Sequence, residues 1–153
     1  MSGPTHAPSP ERPLATVGVL MVGPSGRLLL IRTHKWRDRW GVPGGKIDYG
    51  EGILDAVRRE AREETGLELA DVRWGPVQEA VESPEFHRAA HFVLLNFFAR
   101  TGSETVELND EAQAFAWVTP EEALAMDLNT PTRVLVNAYL DAAPDAPEVA
   151  AHG

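Results

Sequence analysis

The 153-residue sequence contains no cysteine, so it can form neither disulfides nor thiolate metal sites and needs no oxidising compartment. It also lacks an apolar run of about 18 residues, the length that a membrane-spanning helix requires. The N-terminal stretch MSGPTHAPSPERP carries proline and polar residues where a secretory signal would carry an apolar segment. From these absences we expect a soluble, cytoplasmic protein that does not enter membranes.

Positive charge is scarce as well. Lysine and arginine number 14 against 23 aspartates and glutamates, which gives a formal net charge of −9 at pH 7. Proteins that bind nucleic-acid duplexes usually carry a basic face, so this balance disfavours a duplex as the main partner. A small phosphorylated substrate is compatible with it, because bound divalent cations invert the local field.

The proline-rich ends of the chain differ from the rest. Residues 1–12 and 142–153 are predicted to be disordered tails around a single domain, residues 13–141. Alternation and turn signals predict strands at 14–22, 27–33, 72–82, 90–100 and 114–118, a loop over 34–45, and helices at 52–65, 119–126 and 130–141. Strand 90–100 is apolar almost throughout, which predicts a central position. Interleaved strands and helices predict an α+β fold, a mixed sheet between helices.

The stretch REAREETG crowds three glutamates, Glu60, Glu63 and Glu64, into five positions of the first predicted helix. Carboxylates three and four residues apart meet on a helix and repel. Helical geometry places them beside an apolar stripe, at the edge of the core, where water screens charge less well. The stripe consists of Ile53, Leu54, Val57 and Ala61.

Two arrangements would offset this repulsion, namely arginine partners or a divalent cation. Arg59 stands four residues before Glu63 and can pair with it, whereas Glu60 and Glu64 have no evident helical partner on their own face. Mg²⁺ takes oxygen ligands and typically lies between one or two carboxylates and substrate phosphates. The helix alone leaves both a salt-bridged face and a metal site open.

The segment before this helix favours a bound ligand. Gly44 and Gly45 let the backbone approach a ligand without an intervening β-carbon. Glu51 stands at the start of the helix, where the dipole is positive, and would lie near Arg59 if the loop folds back.

The segment GGKIDYGEGILDAVRREAREETGL resembles the signature of the Nudix hydrolases, G-x5-E-x7-R-E-U-x-E-E-x-G-U, where U is apolar. The matching positions are Gly45, Glu51, Arg59, Glu60, Glu63, Glu64, Gly66 and Leu67, and Ala61 fills the inner apolar position with a smaller residue than usual. The flanking WGVPGG and WVTPEEA segments are also similar to this family. The resemblance covers about residues 14 to 141 and implies the Nudix fold, an αβα sandwich.

The resemblance implies a hydrolase that uses Mg²⁺ or Mn²⁺ to cleave the pyrophosphate bond of a nucleoside diphosphate linked to another moiety. It implies that Glu60 and Glu64 ligate the metal with the Gly45 carbonyl, and that Glu63 is a further ligand, directly or through water. The implied roles of Arg59 and Glu51 are to orient the ligating carboxylates. For the general base it points to the loop before the last strand, hence to Glu111. Asp110, Glu64 and Glu51 are alternatives.

Loops outside this signature would determine the substrate. Trp36 is a candidate for stacking on a nucleobase, and Arg39 and Arg88 are candidates for binding substrate phosphates. Nucleoside triphosphates, nucleotide sugars, ADP-ribose and dinucleoside polyphosphates all remain open as substrates. Two rival functions are a nucleotide-binding regulator that has lost turnover and a structural acidic domain with an ion-paired helix. Homodimers are common among similar proteins.

Overall fold

A computed structural model describes residues 12–142 and 146–149, so the predicted tails lie mostly outside the described residues. The strands are β1 (Leu14–Val22), β2 (Leu28–Thr33), β3 (Arg39–Gly41), β4 (Gly44–Lys46), β5 (Ala70–Val81), β6 (His91–Arg100) and β7 (Ala114–Val118). The helices are α1 (Ile53–Thr65), α2 (Pro120–Leu124) and α3 (Thr130–Ala142), and a 3₁₀ turn spans His34–Trp36. Within the described ranges, no helix is both long enough and apolar enough to cross a membrane.

All seven strands belong to one mixed sheet. β1 runs parallel to β6 along its whole length, from Leu14 opposite Phe92 to Val22 opposite Arg100. The other paired strands are antiparallel. β6 lies between β1 and β5, which confirms the central position predicted from its apolar sequence.

The helices cover both faces of this sheet, because successive side chains of a strand point to opposite faces. Val19 of β1 packs with Val57 of α1 in one buried cluster. Its neighbour Leu20 packs with Ala123 of α2 and Leu135 of α3 in a second cluster. The predicted α+β arrangement, a mixed sheet between helices, is confirmed.

The segment 34–45, predicted to be a loop, is more regular than expected. It contains the 3₁₀ turn and the strands β3 and β4, each three residues long and therefore too short to show a sequence alternation. β4 pairs with β1, with Gly45 opposite Val17. A β-carbon at Gly44 would lie 2.2 Å from the Val17 carbonyl oxygen, so this close pairing requires glycine. The glycine pair is thus held against the centre of the sheet.

The C-terminal residues also differ from the predicted tail. The Trp74 N–H donates to the Pro147 carbonyl at 2.9 Å, and the Val149 N–H donates to the Val72 carbonyl at 3.1 Å. Residues 146–149 therefore lie along the outer edge of β5, where free backbone groups of an edge strand are available for pairing.

Candidate active site

Helix α1 carries the acidic cluster, and its ends are set by glycines. Gly52 is the N-cap, and Gly66 closes the helix in the left-handed conformation, φ 76°, with its N–H bonded to the Arg62 carbonyl. Glu60 and Glu64 are only 8% and 4% exposed, whereas Glu63 faces solvent. The predicted position at the edge of the core therefore holds for two of the three glutamates.

Glu60 and Glu64 are four residues apart on α1, so their buried carboxyl groups lie on the same side of the helix. The backbone N–H of Gly44 donates to Glu64 Oε2 at 3.2 Å. Burial, and then the neighbouring Glu60, raise the pKa of Glu64 well above its ordinary value, because two buried carboxylates disfavour each other's ionised form. A nearby cation would favour that ionised form.

Gly45 lies directly against the Glu60 carboxylate. A β-carbon at that position would lie 2.3 Å from Glu60 Oε2, so a larger residue would displace the carboxylate from this position. Buried carboxylate oxygens beside open backbone suit a hard divalent cation such as Mg²⁺. In the part of the chain that the structure describes, no three acidic or histidine side chains converge on one point. This fits a cation that takes one or two carboxylates and completes its shell with phosphate oxygens and water.

Arg59 organises the carboxylates around this pair. Its guanidinium donates to both oxygens of Glu51, at 2.7 and 3.0 Å, and to the Lys46 carbonyl at 3.1 Å. It also donates to Glu60 Oε2 at 3.2 Å and to Glu63 Oε1 at 3.1 Å. The expected Arg59–Glu63 pair is present, and Arg59 also bonds to Glu60, for which the sequence showed no evident helical partner on its own face. The long arginine side chain reaches its immediate neighbour because Glu51 and β4 anchor the guanidinium.

Glu51 lies against Arg59, as expected for a loop that folds back onto the helix. Its hydrogen bonds with the guanidinium, helped by the Asp48 N–H, lower the pKa of Glu51 to about 2. A fully ionised Glu51 keeps Arg59 in place, and Arg59 in turn orients Glu60. This geometry fits residues that position a ligand rather than bind it directly.

Arg59→Lys is expected to weaken cation binding by about 10- to 100-fold, the usual effect of losing a residue that orients a metal ligand. Lysine cannot reproduce the planar, bidentate bond to Glu51 and still reach Glu60. The measurement is the Mg²⁺ concentration that gives half of the maximal rise in Tm. Arg62→Lys is the matched control, because Arg62 lies on the same helix and pairs with exposed Glu68. If both variants required the same Mg²⁺ concentration for half of the maximal rise in Tm, Arg59 would not be the residue that orients the metal ligands.

A cleft of about 470 Å³ opens beside the carboxylates. Its lining includes the charged residues Lys35, Lys46, Glu60, Glu63 and Glu111, the glycines Gly44 and Gly45, the apolar residues Trp36, Phe86, Phe92, Leu94 and Leu135, and the polar residues Asn96, Asn129 and Thr132. The volume suits a ligand of nucleotide size, and the combination of charged and aromatic side chains suits a phosphorylated molecule with a flat ring.

Two of the three predicted substrate-binding residues reach this cleft. Trp36 lines it and packs edge-on against Phe86, with ring centroids 4.9 Å apart. Arg88 lines it with its guanidinium carbon 5.7 Å from the centre of the Phe86 ring. Arg39 does not line it, because its guanidinium faces acidic side chains elsewhere, Glu85 at 3.8 Å and Asp127 at 4.0 Å.

Glu111 lies close to Glu64, and both line a small cavity of about 40 Å³ together with Gly44 and Lys35. The Glu111 carboxylate forms an ion pair with the Lys35 ammonium group. Sequence reasoning missed Lys35, Phe86 and Asn96, all of which line the cleft. The only signal for Lys35 was a cation in a loop beside Trp36, a pattern shared by many surface lysines.

The NUDIX domain family matches residues 12–139 of this chain. A nucleoside triphosphatase, NudI, from Salmonella schwarzengrund is 34% identical over 101 residues, which cover 62% of this chain and 72% of that protein. The crystal structure of a MutT NUDIX hydrolase from Burkholderia pseudomallei superposes with a TM-score of 0.72 at 28% identity, covering 84% and 98% of the two chains. The NUDIX domain of Shewanella oneidensis NrtR, complexed with ADP ribose, shares the fold with a TM-score of 0.72 at 18% identity, covering 86% and 88%. Three of the signature residues, Gly45, Glu60 and Glu63, line the cleft. The chain belongs to the Nudix hydrolases and is a pyrophosphohydrolase of nucleoside diphosphate derivatives, dependent like its family on divalent cations.

Proposed function

We propose that this enzyme hydrolyses nucleoside triphosphates to nucleoside monophosphate and pyrophosphate, with Mg²⁺ or Mn²⁺ as its cation. The observation that carries the proposal is the pair of buried carboxyl groups, Glu60 and Glu64, of which Glu60 lies against Gly45 and lines a cleft that also presents aromatic side chains. The name of the 34%-identical Salmonella relative, a nucleoside triphosphatase, supports the substrate class.

The roles of the acidic residues follow from their positions. Glu60 and Glu64 would hold the cation together with the Gly45 carbonyl, and Glu63, which is exposed and bonded to Arg59, would contribute through water. When bound, a divalent cation supplies positive charge that offsets the phosphate charge and acidifies water. Glu51 and Arg59 orient these ligands.

Glu111 is placed to act as the general base of this hydrolysis. It lines the same small cavity as Glu64, and this cavity of about 40 Å³ is large enough to hold the attacking water beside Glu111. The water oxygen forms a bond to one phosphorus of the α–β bridge, and its proton passes to Glu111. The bond from that phosphorus to the bridging oxygen breaks, and the departing phosphate keeps the oxygen.

The aromatic side chains of the cleft suit the nucleoside. Trp36 and Phe86 present aromatic surface, and the Arg88 guanidinium lies over the Phe86 ring. Aromatic rings and guanidinium planes both stack on nucleobases. Lys35 and Lys46 also line the cleft and would bind the phosphates.

The test is a hydrolysis screen with Mg²⁺ and with Mn²⁺ over nucleoside triphosphates, nucleotide sugars, ADP-ribose and dinucleoside polyphosphates, with both products identified. We expect the highest kcat/KM for a triphosphate, with release of pyrophosphate. Release of orthophosphate would mean that the β–γ bridge is cleaved instead of the α–β bridge. Faster turnover of a nucleotide sugar would overturn the proposed substrate class.

The same screen separates the rival functions. A nucleotide-binding regulator would bind these compounds without releasing product. A structural domain with an ion-paired helix would show neither turnover nor a rise in Tm when Mg²⁺ is added, since only a ligand of the folded state raises Tm.

A further inference from the structure

Lys35 is a cation shared by two cavities. Its side chain lines both the main cleft and the small cavity between Glu64 and Glu111. Its ammonium group pairs with the Glu111 carboxylate, although the two side chains are 47% and 42% exposed. The signature of the family does not include this residue, and the proposed function gives it no role beyond a charge near the phosphates.

We propose that Lys35 is a positioning residue that changes partner during the reaction. In the free enzyme its ammonium group holds the Glu111 carboxylate. In the substrate complex it moves to a substrate phosphate and leaves Glu111 free to accept the proton of water. This inference rests on the proposed function, because it requires a phosphate in the cleft and Glu111 as the base.

The backbone of Lys35 is fixed, so the exchange involves its side chain alone. The His87 N–H donates to the Lys35 carbonyl at 2.7 Å, and the Arg37 N–H donates to the His34 carbonyl at 2.9 Å. The first bond ties the 3₁₀ turn to the segment around His87, and the second closes the turn itself. A lysine side chain has four flexible methylene groups and three donors, which allows it to turn from one anion to another without backbone movement.

The energetics favour the exchange when substrate binds. An exposed ion pair such as Lys35–Glu111 is weak, because water screens it and both side chains lose freedom in forming it. A triphosphate carries several negative charges, against the single charge of a carboxylate, and forms charge-assisted hydrogen bonds with ammonium groups. It therefore competes for Lys35 once Lys46 and Arg88, which also line the cleft, have attracted it.

The consequence for Glu111 is a change of neighbour. While the ion pair holds, the Lys35 ammonium group covers the Glu111 oxygen that would accept the proton of water. Once Lys35 has turned to the phosphate, that oxygen is open to the small cavity that Glu111 shares with Glu64. The base is thus accessible only when a substrate is present.

The experiment compares Lys35→Met with the wild-type enzyme in two measurements. One is kcat and KM for the best triphosphate of the screen. The other is the Kd, with Mg²⁺, for the same nucleotide with a methylene group in place of its α,β-bridging oxygen. We expect Kd and KM to rise about tenfold through loss of a charge-assisted bond, with kcat within about twofold of wild type. Lys35→Arg should restore most of the affinity.

Arg37→Met is the matched control, because Arg37 lies next to the same turn and its side chain bonds to the Pro84 carbonyl rather than to Glu111. A fall in kcat with unchanged Kd in Lys35→Met would mean that Lys35 holds Glu111 throughout, which overturns the exchange. Unchanged Kd and unchanged kcat overturn it as well. If wild type itself neither binds the analogue nor hydrolyses any triphosphate, the proposed function fails first.

Discussion

Glu64→Gln is expected to lower kcat/KM by about three orders of magnitude, or ~4 kcal/mol of transition-state stabilisation. The amide has the shape of the carboxylate but no charge to balance a divalent cation. Glu64 is 4% exposed and faces Glu60 and Gly44, so no other acidic side chain can take its place without moving the helix. The loss should appear at saturating substrate, because the cation acts on the reacting phosphate.

The same substitution should raise stability when no cation is present. Burial and Glu60 raise the pKa of Glu64 from its ordinary value of 4.5 to about 10, so at neutral pH this carboxyl has to take up a proton when the chain folds, which costs stability. Glutamine removes that cost, and in chelator at pH 7 the variant should have the higher Tm. The difference should shrink as the pH falls below 4.5, where the wild-type carboxyl is protonated in both the folded and unfolded chain.

Added Mg²⁺ should reverse this order. At about 100 times its dissociation constant, a cation that binds only the folded chain stabilises it by about 2.7 kcal/mol, which raises the Tm of a chain of this length by about 5–10 °C. Glu64→Gln should lose most of this rise. Glu68→Gln, which alters an exposed carboxylate paired with Arg62, is the control for the chemical change. Near-wild-type turnover in Glu64→Gln would exclude it as a ligand.

The acidic cluster was predictable because it depends on local geometry. Positions three and four apart on a helix meet, and the apolar stripe determines which of them approach the core. Glu60 and Glu64 are buried for this reason. The Glu51–Arg59 pair needed only a short loop to fold back, so it too was within reach of sequence reasoning.

Contacts between distant parts of the chain were not predictable. Lys35 and Glu111 are 76 positions apart and meet only because β2 and β7 are neighbours in the sheet. Arg39 and Arg88 look alike as loop cations in the sequence. Acidic side chains, Glu85 and Asp127, hold Arg39 away from the cleft, whereas Arg88 lies over an aromatic ring within it. The difference depends on loop packing, which has no periodic sequence pattern.

Glu111→Gln is expected to lower kcat by about 10²- to 10⁴-fold, the usual contribution of a positioned general base. Glutamine keeps the size of the side chain but cannot accept a proton from water at neutral pH. Cation binding should be unaffected, because Glu111 is half-exposed and lies outside the Glu60–Glu64 pair. The measurements are kcat at saturating triphosphate and the Mg²⁺ midpoint of the rise in Tm.

Asp110→Asn is the matched control, since Asp110 precedes Glu111 on the same exposed turn but lines neither cavity. It should retain nearly all activity. If Asp110→Asn loses activity and Glu111→Gln does not, the base is the neighbouring carboxylate. If both variants remain active, the proton must pass to a carboxylate of the signature itself. Glu64 is then the first candidate, because it lines the cavity where the attacking water would lie.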